Sequence, residues 1–213
     1  MTETRDCAQC GTEFVPPREH ARFCSAGCRI AWNQHNATAP TGGKTLQWAV
    51  AALQSAAERL LAATAREPQD AFTVIGEAVW WTTIVDANLV RYHADTYREL
   101  LASRTVAEQQ AIEQTLAGLR FVRNQMACQL GHDDLISQPD QLSGRPDVPV
   151  ATWTWKPVRE PGLDDLPESN RAWEKTRHRA YQAQLAGQPI GTAFTQATPF
   201  LHRVCVTALP AEP

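Results

Sequence analysis

No apolar run in this chain approaches the roughly 18 residues that a membrane-spanning helix needs, so a helical membrane protein is not expected. The first residues, MTETRDCAQC, are charged and lack the apolar stretch of a secretory leader, which predicts a soluble, cytoplasmic protein. Lysine is scarce, at 3 against 17 Arg, and with abundant Ala this suggests a high-GC, bacterial origin. An excess of positive charge is also missing. The net charge of −3 argues against wholesale coating of nucleic acid and leaves only a local basic site open. Apolar residues are not lacking. At 43% hydrophobic and 20% charged over 213 residues, the chain reads as one or two folded domains with a real core.

Cysteine is thinly spread except at one end, where four of the six lie within the first 28 residues. They are Cys7 and Cys10, two residues apart, then Cys24 and Cys28, three residues apart. Two close pairs at this separation are rare by chance. Disulfides are disfavoured in a chain with no export signal. Zinc fits, because four thiolates close a tetrahedral shell around one ion. Gly11, after Cys10, frees the backbone to turn back under the metal. A piece of about 35 residues cannot bury a sufficient apolar core, so the metal would supply much of its folding free energy. The expected cofactor is one structural zinc.

The segment CGTEFVPPREHARFCSAGCRIAWNQHN resembles bacterial four-cysteine treble-clef or ribbon zinc fingers, with the pattern CxxC-x-x-x-F-x-P…RFCSxxCR. The resemblance covers residues 7 to about 36. It implies that the first pair sits on a knuckle and the second at the start of a helix. Ser25 is placed to cap that helix, with Arg29, Ile30, Trp32 and His35 following on it. Phe14 and Phe23 are expected to pack beside the metal. His20 and His35 are alternative ligands. With four cysteines in the shell there is no open position for a catalytic water. Four basic residues (Arg5, Arg18, Arg22, Arg29) are matched by four acidic ones (Glu3, Asp6, Glu13, Glu19), which speaks against a strong phosphate-binding finger.

Residues 37–44 (ATAPTGGK) read as a linker. Their GGKT is not a phosphate-binding loop, since the upstream Gly of that motif falls at Thr38. Three helical patterns follow, over residues 45–66, 71–103 and 105–131, with Thr105 capping the third. Short turns between them predict an up-and-down bundle. The second helix has a broad apolar surface that includes Trp80 and Trp81. Core packing or a dimer contact is favoured there over a ligand platform.

Within the third helix, Gly118-Leu119-Arg120-Phe121-Val122-Arg123-Asn124-Gln125-Met126-Ala127-Cys128 resembles the last helix of HEPN domains. These helical bundles often dimerise, and many are metal-independent ribonucleases with the motif R-N-x-x-x-H. Arg123 and Asn124 match its first two positions, and Cys128 stands where His belongs. The resemblance implies Arg123, Asn124 and the displaced His132 as candidate catalytic residues, with His93 another candidate base. Asp86 could orient an arginine, or pair with Arg123 as a buried ion pair. A thiol titrating near about 8.5 shuttles protons poorly at neutral pH, so the motif reads as weakened.

Residues 133–150 read as an extended loop and 151–158 as a strand or arm with Trp153 and Trp155 on one face. Covering an apolar surface is favoured for these tryptophans over base stacking. A helix is expected over 168–186, where Arg171, Lys175, Arg177, His178 and Arg179 make the most basic stretch. A last helix over 190–207 contains Pro199, which can kink or split it. The expected architecture is mainly α. It comprises a four-cysteine zinc finger (1–36), a linker (37–44), a HEPN-like up-and-down bundle (45–135), an arm with C-terminal helices packing on the bundle (136–207) and a disordered tail (208–213). The expected role is a zinc-binding, non-catalytic RNA- or protein-binding module that homodimerises through the bundle. The alternatives are a HEPN-type ribonuclease of defence or toxin type and a protein-binding accessory subunit.

Overall fold

A computed structural model describes residues 4–16, 21–35, 43–128, 135–138, 148–159 and 168–209, and the chain forms two units, Met1–Thr41 and Gly42–Pro213. In the first unit, β1 (Arg5–Asp6) pairs antiparallel with β2 (Glu13–Phe14), with Arg5 opposite Phe14 and Asp6 opposite Glu13. The intervening turn is closed by Gly11 N–H donating to the Cys7 carbonyl and Cys7 N–H donating to Thr12, both at 2.9 Å. Gly11 has φ +71°, a left-handed conformation that other residues adopt only at a cost, so a glycine at this position is required by the turn. Helix α1 (Ala26–His35) begins where Ser25 Oγ accepts the Cys28 N–H at 3.1 Å, an N-cap. Phe23 and Trp32 pack at 6.0 Å between ring centroids, and the Arg22 guanidinium lies over both rings at 5.8 and 5.4 Å. These aromatic contacts are only half-buried. Among the described residues of this unit, Cys7 is the one buried side chain.

The second unit is mainly helical. It comprises α2 (Gly43–Ala62), α3 (Pro68–Tyr92), α4 (Ala94–Ala102), α5 (Val106–Cys128), α6 (Glu168–Gln184) and α7 (Ile190–Ala208). Helix α2 packs along α3, α3 against α5, and α5 along α6, while α7 lies against α2, α3 and α5. The shared core holds Leu53 and Leu60 of α2, Ile75 and Leu89 of α3, Leu119 and Val122 of α5, and Phe194 and Leu201 of α7. Spacings of three and four place these residues on inward stripes.

The helix expected over 71–103 is two helices. It starts earlier, with Pro68 in the first turn, where a missing N–H costs nothing. It breaks at His93, whose φ −133° and ψ 37° leave the helical region. The break has a physical reason. Asp86 and Tyr97 are eleven residues apart, which on one straight helix separates their backbones by about 16 Å. Folding α4 back lets the Tyr97 hydroxyl donate to Asp86 at 3.0 Å and sets its ring edge-on to Phe200 at 5.1 Å. Thr105 and Glu108 form a reciprocal cap at the start of α5. Glu108 N–H donates to the Thr105 hydroxyl at 3.3 Å, and Thr105 N–H donates to the Glu108 carboxylate at 2.9 Å. Helix α7 continues past Pro199.

Two two-residue ribbons tie the arm down. β3 (Thr64–Ala65) pairs antiparallel with β5 (Val148–Pro149), and β4 (Ile136–Ser137) pairs antiparallel with β6 (Thr154–Trp155). A 3₁₀ turn, Val150–Thr152, separates β5 from β6. Val150 N–H donates to Ala63 at 2.9 Å, Ile190 N–H donates to Trp153 at 2.7 Å, and Gly187 N–H donates to Trp155 at 2.7 Å. The arm is thus sewn between the α2–α3 and α6–α7 connections. Trp153 and Trp155 are 0% and 1% exposed, so they fill core and offer no surface to a base.

Candidate metal centre

The hairpin of the first unit presents Cys7 and Cys10, and the start of α1 presents Cys28 with Cys24 just before its cap. All four sulfurs lie within 4.8 Å of one another. The separations are 3.6 Å from Cys10 Sγ to Cys24 Sγ, 3.5 Å from Cys24 to Cys28, and 3.7 Å from Cys28 to Cys10. Four sulfurs about 2.3 Å from a central ion at tetrahedral angles stand about 3.8 Å apart. A disulfide would bring a pair to about 2.05 Å. The cysteines are free thiols spaced as ligands, not as bridges. The donor set is soft, which selects zinc or iron over magnesium or calcium.

Backbone and hydroxyl donors are arranged around the sulfurs. Cys24 N–H approaches Cys7 Sγ at 3.4 Å, and Thr12 Oγ1 lies 3.3 Å from Cys10 Sγ. Burial raises the Cys7 thiol, but the amide groups of Cys24, Cys10 and Gln9 outweigh it and draw it down to about 6. The Thr12 hydroxyl and amide lower Cys10. Cys24, hemmed in by the sulfurs of Cys28, Cys10 and Cys7, is pushed up to about 12. Four sulfurs this close cannot all ionise unless a cation takes up the charge. His20 lies outside the described residues, as does the side chain of His35.

The HEPN-like residues fall on α5. Asn124 Nδ2 donates to Glu174 of α6 at 3.2 Å. Arg123 is half-buried and makes no hydrogen bond or ion pair with another described residue. His132 lies outside the described residues. Asp86 does not pair with Arg123. It is fully buried and pairs with Arg120, one turn earlier on α5, and with Tyr97. Burial raises the Asp86 carboxyl, while Arg120 and the Tyr97 hydroxyl oppose the rise. Tyr97 in turn is raised by its own burial and by the Asp86 charge. A carboxylate inside the apolar run Val79–Leu89 signals a buried cation partner. Two arginines one turn apart on α5 gave no basis in sequence for choosing between them.

Sequence reading also missed Glu174. It is buried, accepts from Asn124, and faces Gln125 Nε2 at 3.5 Å and Arg177 Nη1 at 3.4 Å. Part of the basic stretch of α6 is therefore neutralised from its own side. His178 Nε2 contacts the Val158 carbonyl at 2.8 Å, which holds the end of the arm and not a ligand. Helices α5 and α6 run antiparallel in close contact, with Phe121 against Tyr181 at 5.1 Å. No family model, no curated protein and no solved structure matches the chain.

Proposed function

We propose that the first unit is a structural zinc finger holding one Zn²⁺ through Cys7, Cys10, Cys24 and Cys28, and that the chain is a non-catalytic, protein-binding module. The observation that carries the metal is the sulfur cluster in a unit whose described residues bury no side chain but Cys7. Without an ion, little holds this unit together. The shell is filled by four cysteines, so the zinc stabilises structure and activates no water.

Protein is favoured over RNA as the partner because several arginines are already paired with carboxylates of the chain. Arg59 pairs with Glu77, Arg98 with Asp95, Arg120 with Asp86 and Arg177 with Glu174. Phosphate binding draws on cations free to exchange their counterions. Several large apolar side chains stay exposed instead, including Trp48, Trp80 and Trp173. The test is fluorescence anisotropy with single-stranded RNA over a salt series. This reading expects no salt-dependent binding; a steep fall in affinity with salt returns RNA as the partner.

A second reading rests on Arg123. It is half-buried on α5 with no acidic partner among the described residues, as a cation that meets a phosphate would be. On this reading the helical unit is a HEPN-type ribonuclease. Cleavage of RNA in the presence of chelator, lost in Arg123→Ala, decides for it.

A further inference from the structure

A cleft of about 240 Å³ lies between the start of α5 and the middle of α7. Ile112 of α5 and Pro199 and Phe200 of α7 give it apolar walls. Phe200 is buried and sits edge-on to Tyr97 at 5.1 Å, and the Tyr97 hydroxyl is tied to Asp86. This wall is therefore ordered before anything enters, which spares a ligand part of the cost of binding. Small-molecule sites between the helices of a bundle have this character: apolar walls with a few placed polar groups.

Three polar side chains line the same cleft: Arg104, Glu108 and Gln196. The Arg104 guanidinium is half-buried and makes no hydrogen bond or ion pair with a described residue. Glu108 Oε2 accepts the Thr105 N–H at 2.9 Å and the Thr105 hydroxyl at 2.8 Å, which leaves Oε1 for another donor. Gln196 Oε1 accepts from the buried Thr115 hydroxyl at 3.0 Å, so its amide N–H groups are left to give.

These groups select among ligands. A simple anion gains from Arg104 and loses to Glu108, and a simple cation does the reverse. A neutral apolar body covers both charges without pairing either, which costs free energy. A molecule that carries both signs beside an apolar group pairs every feature of the cleft. An α-amino acid is built this way, with ammonium, carboxylate and side chain on one carbon.

We infer that this cleft binds a free α-amino acid with an apolar side chain, its carboxylate at Arg104 and Gln196, its ammonium at Glu108 and its side chain against Ile112, Pro199 and Phe200. This goes beyond the protein-binding reading and depends neither on it nor on the metal.

An amide NMR titration of the full chain with L-phenylalanine tests it. A ligand of this size is expected to bind with a Kd of about 1 mM or tighter, moving the resonances of residues 104–112 and 196–200. 3-Phenylpropanoate lacks only the ammonium and 2-phenylethylamine lacks only the carboxylate. Each is expected to bind at least about fivefold more weakly. Arg104→Gln weakens L-phenylalanine by a similar factor and leaves 2-phenylethylamine unchanged. Glu108→Gln, which keeps a capping side chain at that position, weakens L-phenylalanine and leaves 3-phenylpropanoate unchanged. Circular dichroism checks that the variants are folded, and if one is not, the three ligands on the parent still decide. No shift with L-phenylalanine or L-leucine up to about 10 mM, ten times the expected Kd, overturns the inference. So does equal binding of either single-charge analogue, which would make this a site for apolar acids or for apolar amines. Binding that neither variant weakens, or that moves resonances elsewhere, overturns the place.

Discussion

The fully buried carboxylate of Asp86 on α3 is paired with the guanidinium of Arg120 on α5. The Tyr97 hydroxyl of α4 donates to its other oxygen at 3.0 Å. Three helices are therefore joined at one carboxylate. Removing one member of a buried pair strands the other charge, so Arg120→Ala is expected to destabilise by about 3 kcal/mol. Arg123, one turn on and unpaired among the described residues, is expected to tolerate Ala within about 0.5 kcal/mol. Urea denaturation of the two variants checks the contrast.

The same carboxylate carries a pH signature. Its folded-state affinity for a proton is raised, chiefly by burial, above the ordinary value of 3.8. Between that value and the raised one the folded chain binds more proton than the unfolded chain, so this group's contribution to stability falls as pH rises. Asp86→Asn keeps an acceptor for Tyr97 and removes the titration. Unfolding free energies measured across the acid range should show this downward component in the parent and lose it in the variant.

Gly118 marks a close approach of α5 to α6. A Cβ there would stand 2.8 Å from Leu185 Cδ1 and 3.2 Å from the Tyr181 Cα. Leu185 can move, but the Tyr181 backbone moves only with the helix. Alanine favours helix by about 1 kcal/mol over glycine, yet overpacking costs about 1–3 kcal/mol. Gly118→Ala is therefore expected to be neutral to destabilising by up to about 2 kcal/mol, and Gly118→Val worse, as read by thermal or chemical unfolding.

The reciprocal cap at Thr105 and Glu108 offers a simple check on α5. Thr105→Ala leaves the Glu108 N–H without its acceptor and is expected to cost about 1 kcal/mol, with Thr105→Ser close to the parent. Glu108, lowered by the Thr105 amide and hydroxyl, contributes its share above its ordinary value of 4.5 and loses it as pH falls. Chemical denaturation at neutral and acid pH reads both effects.

These particulars show what local patterns can and cannot convey. Ser25 and Thr105 were readable as caps because a cap needs only a side-chain oxygen and the next turn. The inward stripes of the helices and the four ligand-spaced cysteines were readable for the same reason: the signal repeats within a few residues. The break at His93 was not, since the apolar period runs on through it. The turn there brings Tyr97 to Asp86, and that pairing is a tertiary contact with no local signal. The choice of Arg120 over Arg123 depends on the rotation of α5 against α3, and the burial of Glu174 depends on the register of α5 against α6. Neither is written in the local sequence. The ribbon of Thr64–Ala65 with Val148–Pro149 joins residues more than eighty positions apart and carries no strand pattern long enough to notice.

The central claim is that a metal holds the first unit together, and elemental analysis of the purified full chain tests it most directly. The account predicts about one zinc per chain, lost when Cys7 and Cys24 are both replaced by Ser, with the helical unit still folded by circular dichroism. A parent protein that is free of metal and yet has an ordered first unit, by dispersed amide resonances for residues 4–35, would contradict it.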